Sequence, residues 1–592
     1  MESCARSGCC LVAAPGGRDM NRRHTLIMVF VLLLALPLGY AQSQAPAAPA
    51  TAQAPAAGAA GSATFRSQSN YVVVPVLVTD TYGKHFAGLK KGDFIVKQNG
   101  KPQRVAELEE IKATATGPVA HVTPPPGVFT NQLEDPSPKR VIILVFDLIN
   151  TPLIDQGFAR TELLKAVEKG IAPGELISLI SISRGGRVKI LHDFTTDSQA
   201  LVAALRQVRG QSNIVPDIQS DQTTAMTWEI QADVGNLMEW QQELSARTGD
   251  AAAIAAGEQR RIQVLDTLSA LQQIAGAFAG VPGRKELLWA TAGFPFTLSS
   301  DLSDINDVLP DYEKVWYALS KANVAVYPID VRGLTNPNLV GAEVTTPRNP
   351  ISGGTSLTAI DAIRLRQMND LANNISTMDM FANMTGGKAY YNTNDIAGAF
   401  QKASEDSASF YLLGYYLDKD TKPGWQKLKV QVTRPGTNVR ARTGFFFSPT
   451  LSPEASRAAD LHQALTSPIQ FTALPMAVRW GAVASAPGAA KQSRKFQIAL
   501  PAGAATIDDQ DGNRLRLEFM AVAFDAAGNV AGQFAHKVDD HLSADSAKQF
   551  RENKAIFEYS IDLAPGSYTV RFVARDDATG RTGSVNAPLK VD

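Results

Sequence analysis

Few residue types in this chain stand at spacings that would let them do chemistry together. The seven histidines are scattered, and no i,i+4 pair flanks a glutamate, so the helical zinc-hydrolase pattern is missing. There is no Gly-x-Ser-x-Gly elbow. Gly386-Gly387-Lys388 lacks the earlier glycine of a phosphate loop and the hydroxyl residue that should follow the lysine, so it reads as a helix stop before a strand. Asp509-Gln510-Asp511-Gly512 looks like part of a calcium loop, but Ile507 stands where the first ligand belongs; a turn between strands is the better reading. Cys4, Cys9 and Cys10 all precede the expected processing point, which leaves no disulfide, thiol nucleophile or thiolate metal site after it. Asp147 and Thr151 are better placed. An apolar run over 141–146 ends in Asp147, and helical periodicity begins near 158, so side-chain oxygens here cap and turn the chain at a strand-to-helix junction. Asp155 reads as an N-cap for the same helix.

The elements that position these residues alternate. Buried strands are expected at 141–146, 176–182, 188–194, 286–289, 323–329 and 388–391, with helices at 158–167 and 198–208 and another ending at Gly386-Gly387. That alternation predicts an α/β domain over 139–404 with a mostly parallel sheet. The stretch 211–280 is helical throughout, with Ile262, Leu265, Leu268, Leu271 and Ile274 on one stripe, and reads as an insertion at the sheet edge. Trp228 and Trp240 within it are expected to pack back on the chain.

Strands at 71–78, 94–98 and 103–108, with an Asn99-Gly100 hairpin, make only half a sandwich. Strands at 410–416, 427–432 and 439–447 are their natural partners. A discontinuous β domain, 64–112 plus 405–448, then carries the α/β domain as an insert. Alternation puts Tyr411, Leu413 and Tyr415 on its inner face. The Pro-rich stretch 113–138 reads as a linker, 449–468 as a linker helix and 469–592 as a separate C-terminal β-sandwich.

The charge balance is even, 57 basic against 57 acidic side chains, with no Lys/Arg block. Such a chain lacks the long-range field of a polyanion binder, so no nucleic-acid partner is expected. Residues 21–24 are a basic n-region, 25–38 an apolar run, and Gly39-Tyr40-Ala41 a cleavage site, so 1–41 is expected to be a signal peptide and the protein exported, periplasmic or extracellular. Met20 is an alternative start. No transmembrane segment is expected after processing. The Ala/Pro-rich stretch 42–63 reads as a flexible tether.

Several stretches together resemble the acidobacterial-type VWFA-related family of von Willebrand factor A domain-containing proteins. They are Val76-Leu77-Val78-Thr79-Asp80, Gly88-Leu89 with Asp93-Phe94, Phe146-Asp147, Phe194-Thr195-Thr196-Asp197, Gly283-Arg284-Lys285, Thr385-Gly386-Gly387 and Tyr411-Leu412-Leu413-Gly414-Tyr415. The resemblance implies a doubly wound A-type domain and a non-enzymatic, exported binding or scaffold protein that engages a protein or envelope component. It also implies a Mg²⁺ site at the end of the first strand, built on Asp-x-Ser-x-Ser, a Thr from a second loop and a later Asp. Here Asp147 keeps the first position, Ile149 and Thr151 occupy the serine positions, and Ala292 replaces the later Asp. No Gly-Thr loop follows the helix ending near Val208. Only Asp147 and Thr151 carry over, with Asn150 or Asp155 as substitutes, so the site is expected to be degenerate: no resident cofactor and at most weak Mg²⁺. The competing readings are a self-assembling envelope subunit and a secreted hydrolase with a dispersed site.

Overall fold

The computed structural model describes residues 71–112, 124–132, 140–169, 175–210, 237–293, 305–334, 357–406, 409–418, 420–447, 453–483 and 490–592. The expected signal peptide and tether, and Trp228, lie outside the described residues. Strands β1 (Tyr71–Thr79), β2 (Phe94–Gln98), β3 (Lys101–Gln103) and β4 (Glu107–Lys112) come first, then β5 (Val128–Thr130). Next are β6 (Arg140–Asp147), β7 (Glu175–Ser183), β8 (Arg187–Thr195), β9 (Lys285–Thr291) and β10 (Val324–Asp330). β11 (Ser409–Tyr416), β12 (Gly424–Val432), β13 (Asn438–Ala441) and β14 (Gly444–Phe447) follow. The C-terminal strands are β15 (Ala477–Val483), β16 (Gln492–Leu500), β17 (Ile507–Asp508), β18 (Arg514–Phe524), β19 (Val530–His541), β20 (Ala555–Leu563), β21 (Gly566–Asp576) and β22 (Arg581–Val591). The helices are α1 (Leu153–Glu168), α2 (Ser198–Arg206), α3 (Leu237–Ala277), α4 (Ile305–Lys321), α5 (Leu357–Thr385), α6 (Ile396–Asp406), α7 (Pro453–Thr466) and α8 (Ala544–Glu552).

The protein is a mixed α/β structure with a mostly parallel sheet, several antiparallel sheets and a curled antiparallel sheet at the C-terminus. The mixed sheet has the order β10-β9-β6-β7-β8; β8 alone runs antiparallel to its neighbour. Its parallel strands are almost wholly buried because helices cover both faces. On one face Leu144 and Phe146 meet Leu163 of α1, Leu201 of α2 and Phe400 of α6. On the other, Val145 and Trp289 meet Leu271 of α3, Tyr312 of α4 and Phe381 of α5.

Two expectations for this domain change. The described part of the helical stretch lies against the edge strand but is also core: α3 places Val264, Leu268, Leu271 and Ile274 in the main core beside β8 and β7. It is the crossover that leads into β9. Residues 211–236 lie outside the described residues. The expected strand at 388–391 shrinks to one bridge, Tyr390 to Ile329, because its N–H and C=O bond only to Pro328 O and Asp330 N–H. Just before it, Gly386 ends α5 at φ +80°, and Gly387 lies so close to the Val326 carbonyl that a Cβ there would overlap it.

The strands flanking this domain do pair with each other. One sheet of the first sandwich has the order β13-β1-β11-β4 and the other β14-β12-β2-β3, with β1 against β11 and β2 against β12. Tyr411, Leu413 and Tyr415 are fully buried between them. The single strand expected at 103–108 is instead two strands, β3 and β4, which belong to opposite sheets.

The Pro-rich stretch is more than a linker. β5 is an edge strand on β15 of the C-terminal sandwich. Beside it, buried Asn131 donates to the carbonyls of Phe471 (2.6 Å) and Leu474 (2.9 Å) and accepts from Met476 N–H (2.8 Å). Losing all three partners strands buried backbone groups, so Asn131→Ala is expected to cost about 2–4 kcal/mol, read as a lowered thermal midpoint with faster amide exchange around 471–476. An unchanged midpoint would show that water replaces the amide.

The C-terminal sandwich is not separate either. Its sheets run β20-β16-β15-β5 and β17-β18-β21-β22, with β19 also on β18. Leu461 and Ala464 of α7, together with Phe471 and Val573, join the core of the mixed sheet. Buried Arg571 donates to the carbonyls of Ala464 (2.8 Å) and Ile469 (2.6 Å), which fixes the end of α7. Among the described residues no helix is long and apolar enough to cross a membrane.

Candidate functional site

Strand order reverses at β6: the chain proceeds to β7 on one side and returns to β9 on the other. Open α/β sheets bind ligands at the carboxyl ends of strands beside such a reversal, where diverging loops leave a crevice. Asp147 ends β6 and Thr291 ends β9. Here the chain itself closes the gap. The Asp147 Oδ1 accepts the backbone N–H groups of Ile149 (2.9 Å) and Asn150 (3.0 Å), which turns the chain sharply out of the strand. Its Oδ2 accepts from the Asn150 amide (2.8 Å), the Trp289 indole (3.1 Å) and the Thr291 hydroxyl (2.7 Å). Burial pushes the Asp147 carboxyl up from its ordinary range, against the opposing pull of these donors. The network continues outward: Asn150 also donates to Thr267 of α3 (2.8 Å), and the Thr291 hydroxyl accepts Gly293 N–H (3.0 Å).

The other expected ligands fall differently. Thr151 is buried, and its carbonyl accepts the Gln156 amide at 2.8 Å. Ile149 and Ala292 are buried apolar side chains. Asp155 is not the N-cap of α1: Pro152 occupies that place, and Asp155 lies in the first turn. Burial raises its carboxyl, Arg332 opposes that shift and Asp330 adds to it. Asp330 itself is held by a two-pronged contact from Arg332 (2.9 and 2.7 Å). Among the described residues no group of three or more His, Cys, Asp or Glu is placed to hold a metal ion. Sequence reasoning missed Trp289, Thr291 and Thr267. The available signal was Trp289 and Thr291 in a short strand that must lie beside the one ending in Asp147.

No family model matches the sequence, and no curated protein matches it. Solved structures do show likeness. One is an aerotolerance-related membrane protein from Bacteroides fragilis NCTC 9343, at 12% identity and TM-score 0.23, covering 45% of this chain and 98% of that one. Another is proximal thread matrix protein 1 from the mussel byssus, at 10% identity and TM-score 0.21, covering 45% of this chain and 48% of that one. A glycoside hydrolase family 2 β-glucuronidase aligns at 10% identity and TM-score 0.14, over 19% of this chain and 11% of that one. Likenesses of this depth leave function to the chain's own residues.

Exposed apolar side chains stand at the same end of the sheet as Asp147, along with Asp155 and the Asp330–Arg332 pair. Leu153 and Ile154 open α1 at 48% and 87% exposure, and Leu334, just after β10, is 64% exposed. The Phe158 ring reaches Gly333, which ties α1 to the end of β10.

The opposite end of the sheet holds a second set of charges. Arg284 donates to the Tyr327 hydroxyl (3.1 Å) and the Gly386 carbonyl (2.8 Å), and its guanidinium lies 5.8 Å from the Phe410 ring centre. The Gly283-Arg284-Lys285, Thr385-Gly386-Gly387 and Tyr411 segments thus meet where the first sandwich docks on the mixed sheet. Burial holds Lys285 down at about 7 and pushes Glu286 up to about 8. Between α1, α6 and the sheet, a cavity of about 520 Å³ is lined by Leu144, Ile177, Leu288 and Phe400, and by the buried Arg140–Glu175 ion pair. It lies away from Asp147.

Proposed function

We propose that this is an exported, non-enzymatic von Willebrand A-type binding or scaffold protein that recognises a protein or envelope component without a bound metal. The observation that carries the reading is the Asp147 carboxylate, whose two oxygens are taken by five donors of the chain itself. A cation entering here would have to displace these donors, and Ile149 and Ala292 offer it no replacement oxygen from their side chains. The strand reversal at β6 supports the A-type assignment, and the basic n-region with its apolar run supports export. With the ionic route closed, exposed Ile154, Leu153 and Leu334 supply the contact surface instead; apolar side chains grouped at one end of a sheet mark an interaction site.

Two measurements test this. A metal bound at a hundredfold excess over its dissociation constant raises stability by about 2.7 kcal/mol, so millimolar Mg²⁺ or Mn²⁺ is expected to leave the thermal midpoint unchanged. A partner captured from the envelope fraction is expected to survive EDTA and to be lost in Ile154→Asp. Capture that EDTA abolishes and Mg²⁺ restores would overturn the metal-free reading.

A further inference from the structure

One sheet of the first sandwich, β14-β12-β2-β3, contains four lysines, Lys97, Lys101, Lys427 and Lys429, with no acidic residue and no arginine. In a chain of even charge that is a local excess. Phe94, Val96 and Leu428 enter the core, so the alternate positions Ile95, Lys97, Lys427, Lys429 and Gln431 form the outer face. Lys97 stands directly opposite Lys429 in the register of β2 and β12. Lys427 lies two residues along the same strand, about 7 Å away. Like charges directly opposed in a sheet weaken it. The cations of these segments that do find acids are others, Arg434 with Asp93 and Arg440 with Asp406; Lys97, Lys427 and Lys429 pair with no acid among the described residues.

We propose that this face docks on the phosphate headgroups of an anionic lipid bilayer. Three features favour a bilayer over other polyanions. The lysines stand on neighbouring strands about 4.8 Å apart, so an extended plane of headgroups can meet them together. Apolar Ile95 is 39% exposed among the ammonium groups; a bilayer interface accepts such a side chain together with lysines. Nucleic acid is served less well, because the strands offer no guanidinium fork and Trp425 already leans on Trp316, with ring centres 6.4 Å apart. The proposal does not depend on the exposed apolar side chains at the Asp147 end of the mixed sheet. The two can fail separately.

The test is co-sedimentation of the full chain with phosphatidylcholine vesicles and with vesicles carrying 30% phosphatidylglycerol. The neutral vesicles report any insertion by the apolar 25–38 segment. Binding is expected on the anionic vesicles only, and it should fall steeply from about 50 to 500 mM salt as the Debye length shortens. Each Lys→Gln change at 97, 427 or 429 is expected to weaken binding about fivefold, and the triple variant about a hundredfold. Relief of the Lys97–Lys429 repulsion should leave the thermal midpoint of the triple variant equal or higher, which separates lost contact from lost folding. Gln at exposed Lys548, Lys554 and Lys590 should leave binding unchanged. Undiminished binding by the first triple variant, or equal loss in the second, would overturn the proposal. So would salt-sensitive retention on single-stranded DNA without vesicle binding.

Discussion

Asp147→Ala is expected to destabilise the protein by about 3–5 kcal/mol. The substitution removes one acceptor group from five donors, and the Trp289 indole and the Asn150 N–H groups are left at a fully or largely buried site without it. Each buried donor deprived of its partner costs about 1–3 kcal/mol, and removal of a buried carboxylate offsets part of that. Asp147→Asn should cost less, about 2–3 kcal/mol, because one oxygen remains while the new amide NH₂ faces other donors. Thermal midpoints in EDTA measure both. The order Ala worse than Asn, insensitive to Mg²⁺, is the signature of a carboxylate that organises the strand ends. Equal midpoints for wild type and Ala in EDTA would remove the structural role.

Glu286→Gln is expected to change the pH dependence of stability in one direction. Glu286 is 2% exposed, and burial, with Glu175 and Asp406 adding and Arg140 and Arg284 opposing, pushes its carboxyl from 4.5 up to about 8. A carboxyl whose folded pKa exceeds its unfolded one holds its proton longer in the folded protein. Its contribution is therefore complete below the unfolded value and declines as pH rises from about 4.5 through about 8. The slope is about 1.4 kcal/mol per pH unit, on the order of 5 kcal/mol over the whole window. Glutamine does not titrate. Relative to wild type, the variant should gain stability steadily between pH 5 and 8 in paired thermal or urea melts. A difference constant with pH would show that Glu286 stays ionised, held by Arg140 and Arg284.

Local signals made much of the architecture legible. β2 forms where the alternation at 94–98 required it, and Asn99 and Gly100 turn the hairpin with φ of 48° and 83°. The inward faces of Leu515, Leu517 and Phe519 and of Val570 and Phe572 follow directly from period-two patterning. The boundary between β3 and β4 was not legible, because Arg104 to Ala106 continues the same local pattern while the chain crosses from one sheet to the other. Nor was β5, since three residues in a Pro-rich stretch carry too little periodicity to reveal that Ala477–Arg479 would supply their hydrogen-bond partners.

By itself the sequence determined which residues are apolar at which spacing, and so the elements, the alternation of strand and helix around Asp147, and the oxygens missing at Ile149 and Ala292. Only the tertiary structure decided what each face meets. The helical stretch became the crossover into β9, with Leu268 and Leu271 in the core it shares with β7 and edge strand β8. Asp147 became the acceptor for Trp289 and Thr291, 142 and 144 residues away, because β6 and β9 are neighbours in the sheet. A chain with no basic block acquired a basic face because pairing sets Lys97 against Lys429 across 332 residues, and charge density depends on proximity in space.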